Sequence, residues 1–267
     1  MSALVEQGNY RVTFTRVVRS EWTKFWSLRS TWVVLAATLV VTVALAGVVG
    51  WAQGNQADDR GEVPAVDEVV GGTFLGIDLF TLVIGVFGVL MMTGEYGTGL
   101  IRATVTAVPR RLLVLAAKAL VLVAGSLPVL LVACFGSFLL SVALSGADVG
   151  LGDPGVMRAV VCAAVAPAAF GVIGLGLGTA VRHTAGAITT LVLVLLVLPA
   201  LVPALPGSVP DDIAPYSPVA AGQAMYSIDG SGGPFEMLSP GSAAAVVAGW
   251  AAVALAAGAT VLRRRDA

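Results

Sequence analysis

Lysine is nearly missing from this chain: Lys24 and Lys118 are the two present in 267 residues. Histidine occurs once, at His183, and cysteine twice, at Cys134 and Cys162. Each shortage excludes a chemistry. A Gly-x-x-x-x-Gly-Lys-Ser/Thr phosphate loop needs a lysine in a glycine-rich context, and neither lysine has one. The chain is therefore not expected to hydrolyse ATP itself. A single histidine cannot build a His-Glu-x-x-His zinc site, and no Gly-x-Ser-x-Gly elbow or paired intramembrane aspartate motif occurs. No catalytic residue, metal ligand or cofactor-binding residue is expected. The cysteines lack metal-ligand spacing and read as small packing residues. Charged residues make up only 12% of the chain and the net charge is −1, which leaves no nucleic-acid footprint. Ionisable groups at mid-bilayer depth are scarce too, which argues against an ion-coupled secondary transporter.

What is abundant is apolar sequence, 57% of residues with a mean hydropathy of +0.93. It falls into six stretches, at 32–51, 74–93, 112–142, 159–181, 186–206 and 242–262. A bilayer core of about 30 Å takes about 20 apolar residues as a helix, so each stretch is long enough to cross. The expected fold is an all-α polytopic membrane protein with six transmembrane helices. The run 112–142 is about 46 Å long at about 1.5 Å per residue, so it must tilt, kink at Pro128 or protrude. A signal peptide is not expected: Ala44-Leu45-Ala46 resembles a cleavage site, but the apolar run continues through Trp51.

The charges between these stretches alternate in sign. Residues 1–31, 94–118, 182–185 and 263–267 carry 13 of the 15 basic residues. The intervening loops carry Arg60, Arg158 and most of the acids. The positive-inside rule then places both termini in the cytoplasm. This divides the chain into a cytoplasmic segment 1–31, a membrane domain 32–262 and a basic tail 263–267.

Segment 12–29 does not span. Phe14, Val18, Trp22, Phe25 and Trp26 recur at helical spacing with Arg16, Arg19, Thr23 and Ser27 between them, and Lys24 adds another cation. This reads as an interfacial amphipathic helix in contact with membrane lipid. Residues 52–73 read as a loose, solvated acidic connector. Asp78 reads as a lip residue in water, and Lys118 is expected to snorkel to the inner surface. Residues 100–107 predict a short helix outside the bilayer, before Pro109 turns the chain. Residues 216–226 predict a short half-buried helix on the outer side. Gly174 and Gly178 form a small-xxx-small pair suited to close helix packing.

Several segments resemble bacterial ATP-binding-cassette (ABC) permeases of the type-2 exporter class. Ser20-Glu21-Trp22-Thr23-Lys24-Phe25-Trp26-Ser27-Leu28-Arg29-Ser30-Thr31-Trp32 is similar to that family's N-terminal signature. Glu95-Tyr96-Gly97-Thr98-Gly99-Leu100-Ile101-Arg102, then Pro109-Arg110-Arg111 and Lys118, resemble the segment after its second span. The family's usual Arg-His after Glu-Tyr is replaced here by Gly97. Arg182-His183-Thr184-Ala185-Gly186-Ala187-Ile188, Tyr216-Ser217-Pro218 and Ala221-Gly222-Gln223 are similar to later family segments. The resemblance implies a transport subunit in the bacterial cytoplasmic membrane. A second permease copy, identical or not, would complete the substrate path by alternating access. A separate ATPase subunit carrying ATP and magnesium would drive it. It further implies that a coupling helix between spans two and three docks on that subunit. Carried onto this sequence, the interface is Glu95, Tyr96, Thr98, Leu100, Ile101, Arg102, Thr104, Pro109, Arg110 and Arg111, with Glu95 as a hydrogen-bonding anchor. The competing expectation is a membrane anchor or assembly protein that transports nothing.

Overall fold

The structure, a computed structural model, describes residues 13–61, 63–108, 110–204, 206, 212–228 and 236–264, without the side chains of Arg102 and Val105. The described residues contain helices and no strand. They begin with α1 (Phe14–Ser27), α2 (Arg29–Arg60), α3 (Val66–Thr73) and α4 (Ile77–Gly97). Next come α5 (Leu100–Ala107), α6 (Arg111–Ser145) and α7 (Val156–Val181). α8 (Thr184–Val192) runs through a π-helical turn, Leu193–Val197, into α9 (Leu198–Leu201). Two short 3-10 turns, Val202–Ala204 and Ala214–Tyr216, precede α10 (Pro218–Tyr226) and α11 (Pro240–Arg264), the last of the described helices.

Among the described residues, six helical stretches are long and apolar enough to cross a membrane: Arg29–Arg60, Val66–Gly97, Arg111–Ser145, Val156–Val181, Thr184–Ala204 and Pro240–Arg264. That marks a helical multi-pass membrane protein. Each stretch contains or overlaps one of the apolar runs, and most extend beyond them because polar flanking residues remain helical.

The largest departure is at 52–73, which is not a loose connector. α2 continues through Gln53, Asn55 and Gln56 to Arg60, and Gly61 in the left-handed conformation (φ 66°) ends it. α3 then begins, with Val69, Val70 and Thr73 buried. Isolated polar residues cost a helix little when no proline interrupts it, so polarity alone did not mark the helix end. The π turn falls where Pro199, lacking an N–H, leaves the Leu195 carbonyl without its usual donor.

α7 is the centre of the bundle. In its most apolar window 72% of residues are buried, against 17% for Thr184–Ala204. It packs against α4, α6 and α11, with α8 and α10 also in contact. Its closest approach is to α4, where the two backbones nearly touch. A Cβ on Gly174 would overlap the Gly85 carbonyl, and one on Gly88 would overlap the Gly171 carbonyl. A Cβ on Gly178 would sit 2.9 Å from the Val89 carbonyl oxygen. In an apolar solvent helices gain little from burying apolar surface, so such backbone proximity and its dispersion contacts supply the association.

Candidate functional site: a four-charge cluster joining four helices

Both lysines of the chain meet at one place. Lys118 Nζ lies 2.7 Å from Glu21 Oε2 and 2.7 Å from Glu95 Oε1. Lys24 Nζ lies 2.8 Å from Glu21 Oε1 and 3.0 Å from Glu95 Oε1. The two ammoniums and two carboxylates sum to zero formal charge. Thr104 Oγ1 of α5 lies 3.4 Å from Glu95 Oε2 and 3.2 Å from the Leu100 carbonyl, so its one proton is shared between the cluster and its own helix. The network therefore ties α1, the end of α4, α5 and the beginning of α6 to one another.

Lys118 does not snorkel. It is 1% exposed, seven residues inside α6, or about 10 Å along that helix. Its face of α6 is turned to α1 and α4 rather than to lipid, and two carboxylates are in reach. An isolated ammonium there would be prohibitively costly; paired on two sides it is tolerated. Lys24, by contrast, keeps 38% of its side chain exposed. Burial pulls the Lys24 ammonium toward the neutral form, but the hydrogen bonds and charges of Glu21 and then Glu95 outweigh it, and its pKa lies above the ordinary lysine value.

α1 is seated by the stripe Val17, Glu21 and Phe25, at i, i+4 and i+8 on one face. The Phe25 ring occupies the space a Cβ on Gly125 of α6 would need, and meets the Phe87 ring of α4 edge-on at 5.7 Å. The other aromatics read as its stripe fall around this one. Phe14 and Trp22 are exposed, while Val18 and Trp26 are half-buried. Trp26 stacks obliquely on Trp32 at 4.7 Å, and Trp32 Nε1 donates to the Trp26 carbonyl. Leu28, in extended conformation, supplies the corner between α1 and α2.

α5 coincides with the short helix expected at 100–107, started by Gly99 in the left-handed region (φ 73°). Ile101 is buried, Leu100 is exposed, and Thr98 Oγ1 donates to the Gly94 carbonyl. Between α1 and α5 lies a groove of about 440 Å³, lined by Val17, Glu21, Lys24, Leu100, Thr104 and Val108 among others. Arg110 is exposed at the start of α6, while Arg111 Nη1 donates to the Leu262 carbonyl at 3.0 Å. Tyr96 lies beneath the Arg182 guanidinium, 5.4 Å from ring centroid to Cζ. Arg182 Nη2 donates to the Val261 carbonyl at 3.1 Å. Pro109 and the Arg102 side chain lie outside the described residues.

Thus Glu95, Thr104 and Lys24 come together, whereas Thr98, Leu100 and Arg110 remain on the surface. Glu21 and Lys118 complete the cluster, and neither was expected as a site residue. Their signal was available: Glu21 interrupts an apolar helix face, and a lone lysine inside an apolar run requires a partner.

The opposite end of the bundle is held by different contacts. Gln223 Nε2 of α10 donates to Asp78 Oδ2 of α4 at 2.6 Å. Asp78 is therefore an anchored, half-buried acceptor rather than a free lip residue. Arg158 Nη1 and Nη2 donate to the Met225 and Ser227 carbonyls at 2.7 and 2.8 Å, clamping the end of α10. Trp250 Nε1 of α11 donates to the Tyr216 carbonyl at 3.0 Å. No family model matches this chain, and no curated protein is a detectable relative.

Proposed function

We propose that the chain is the membrane-spanning permease subunit of a type-2 ABC exporter, driven by a separate ATPase subunit. The observation that supports this most is the shared charge cluster. It makes one unit of α1, α5 and the adjoining ends of α4 and α6. A push on α1 or α5 is then delivered to two membrane-length helices at once. The segments resembling permeases, Ser20–Trp32 and Glu95–Arg111, are the ones this cluster joins. In this reading the cluster end faces the bacterial cytoplasm with both termini, and the exposed faces of α1 and α5 receive the ATPase. ATP would favour one of two packings of the helices, and a second permease copy would complete the path.

The test is reconstitution with candidate ABC ATPase subunits from the same genome, beginning with any encoded beside this chain's gene. The expected result is co-purification and a changed ATP hydrolysis rate, both lost when surface residues Thr98, Leu100, Ala103 and Ala107 are replaced together by aspartate. Binding that survives this change removes the docking assignment. A complex that forms but moves no candidate substrate in vesicles favours the anchor reading. Reporters fused within 52–73 and 94–111 should report from opposite sides of the membrane; the same side for both overturns the six-span arrangement.

A further inference from the structure

At the α10 end, a cavity of about 300 Å³ opens between α3, α4 and α10. Its volume is at the lower end of the range of small-molecule sites. Three carboxylates line it, Asp67, Glu68 and Asp78, together with the Phe74 and Tyr226 rings. The rings pack edge to face at 5.8 Å, one buried and one half-buried. No lysine, arginine or histidine among the described residues lines the cavity. Arg158 reaches Ser227, a lining residue, but through the backbone carbonyl. Asp78's hydrogen-bond donor is Gln223, a neutral amide, which orients the carboxyl group without bringing a compensating positive charge.

The spacing of the acids selects among cations. No three acidic, histidine or cysteine groups among the described residues are close enough to hold a metal ion. The negative charge is spread around a volume instead of focused on a point. A recess lined by one sign of charge concentrates counter-ions, and aromatic walls favour a cation that carries apolar groups. We propose that this cavity binds a small organic ammonium ion, its charge facing Asp78 and its alkyl groups against the half-buried Tyr226 ring, which the buried Phe74 ring holds in place. Exposed Asp67 and Glu68 form the rim that draws it in. The inference is independent of the permease reading, because it concerns equilibrium binding to this chain alone.

Choline and its neutral isostere 3,3-dimethylbutan-1-ol test it, titrated calorimetrically against the full chain in lipid nanodiscs at low salt. Saturable choline binding at least tenfold tighter than that of the neutral alcohol is expected. Asp78→Asn, which can still accept from Gln223, should weaken choline at least tenfold and leave the alcohol unchanged. The double change Asp67→Asn with Glu68→Gln lies on exposed positions and should not disturb folding. It should weaken choline several-fold and flatten its salt dependence. Equal binding of choline and the alcohol overturns the proposal, as does a choline affinity that neither set of substitutions alters. Displacement of choline by micromolar calcium also overturns it, in favour of a metal site.

Discussion

Glu21 and Lys118 lie 97 positions apart in sequence, and their charged atoms are 2.7 Å apart, each side chain almost wholly buried. That pair joins a helix outside the six membrane-length stretches to the interior of one within them. Replacing Lys118 by methionine leaves Glu21 and Glu95 facing each other with Lys24 alone to compensate. A loss of about 3–5 kcal/mol is expected, read as a lowered unfolding midpoint in detergent. Combining Lys118→Met with Glu21→Gln should recover most of it, because Glu95 then keeps Lys24 as its partner and the cluster again sums to zero.

The α4–α7 crossing gives a second prediction. Gly174→Ala places a methyl group on the Gly85 carbonyl, and the helices must separate. Overpacking of this kind costs about 1–3 kcal/mol. Gly249→Ala, where a Cβ meets nothing within 4 Å, should be neutral or stabilising by about 0.5–1 kcal/mol. Thermal unfolding of the two variants side by side checks the difference.

Docking of α1 depends on Phe25 filling the notch at Gly125. Gly125→Val fills that notch from the other side and should expel the ring. Fluorescence of Trp22 and Trp26 should shift to the red and proteolysis near Leu28 should accelerate, while the six long helices persist by circular dichroism. An unchanged spectrum would show that Phe25 is not the peg.

The response to alkali follows from Lys24. Its pKa is raised in the folded chain above the ordinary lysine value of 10.5. Its contribution is thus fully present below that value and fades only as pH climbs through the higher native one. α1 should stay docked through neutral and moderately alkaline pH, and Lys24→Met should remove the high-pH dependence of the tryptophan signal.

Arg158 is the clamp on α10. Arg158→Ala removes two charge-assisted bonds to carbonyls, each worth about 1.5–3 kcal/mol in a buried setting and less here because the site is only part-buried. Hydrogen exchange should rise over 218–228 and remain unchanged in α7 beyond its first turn.

The six apolar helices were legible because hydropathy and length record the membrane directly. The short helix at 100–107 was legible ahead of Pro109, which turns the chain, and the one expected at 216–226 from its place among the prolines of the outer segment; it forms over Pro218–Tyr226. What remained hidden depends on partners distant in sequence. The periodicity of α1 is carried by its aromatics, yet the face it buries is Val17, Glu21 and Phe25, since only the bundle supplies Lys118 and the Gly125 notch. The same holds for 52–73, whose polarity suggested solvent although Val69 and Val70 are among the buried residues. Asp78 could be placed at a helix end, but its donor, Gln223, lies 145 residues away.

The end of α11 accepts from two guanidiniums, Arg111 at Leu262 and Arg182 at Val261. Both donors are made long before the acceptors, because α11 follows the other described helices in chain order. During synthesis Arg111, beside α5, and Arg182, above Tyr96, must wait for it. The surface around Glu95 and α5 is therefore finished last, although most of it is encoded in the first half of the chain. A ribosome-bound intermediate lacking α11 would carry the four-charge cluster complete while the Leu262 and Val261 carbonyls that Arg111 and Arg182 bind were still to be made.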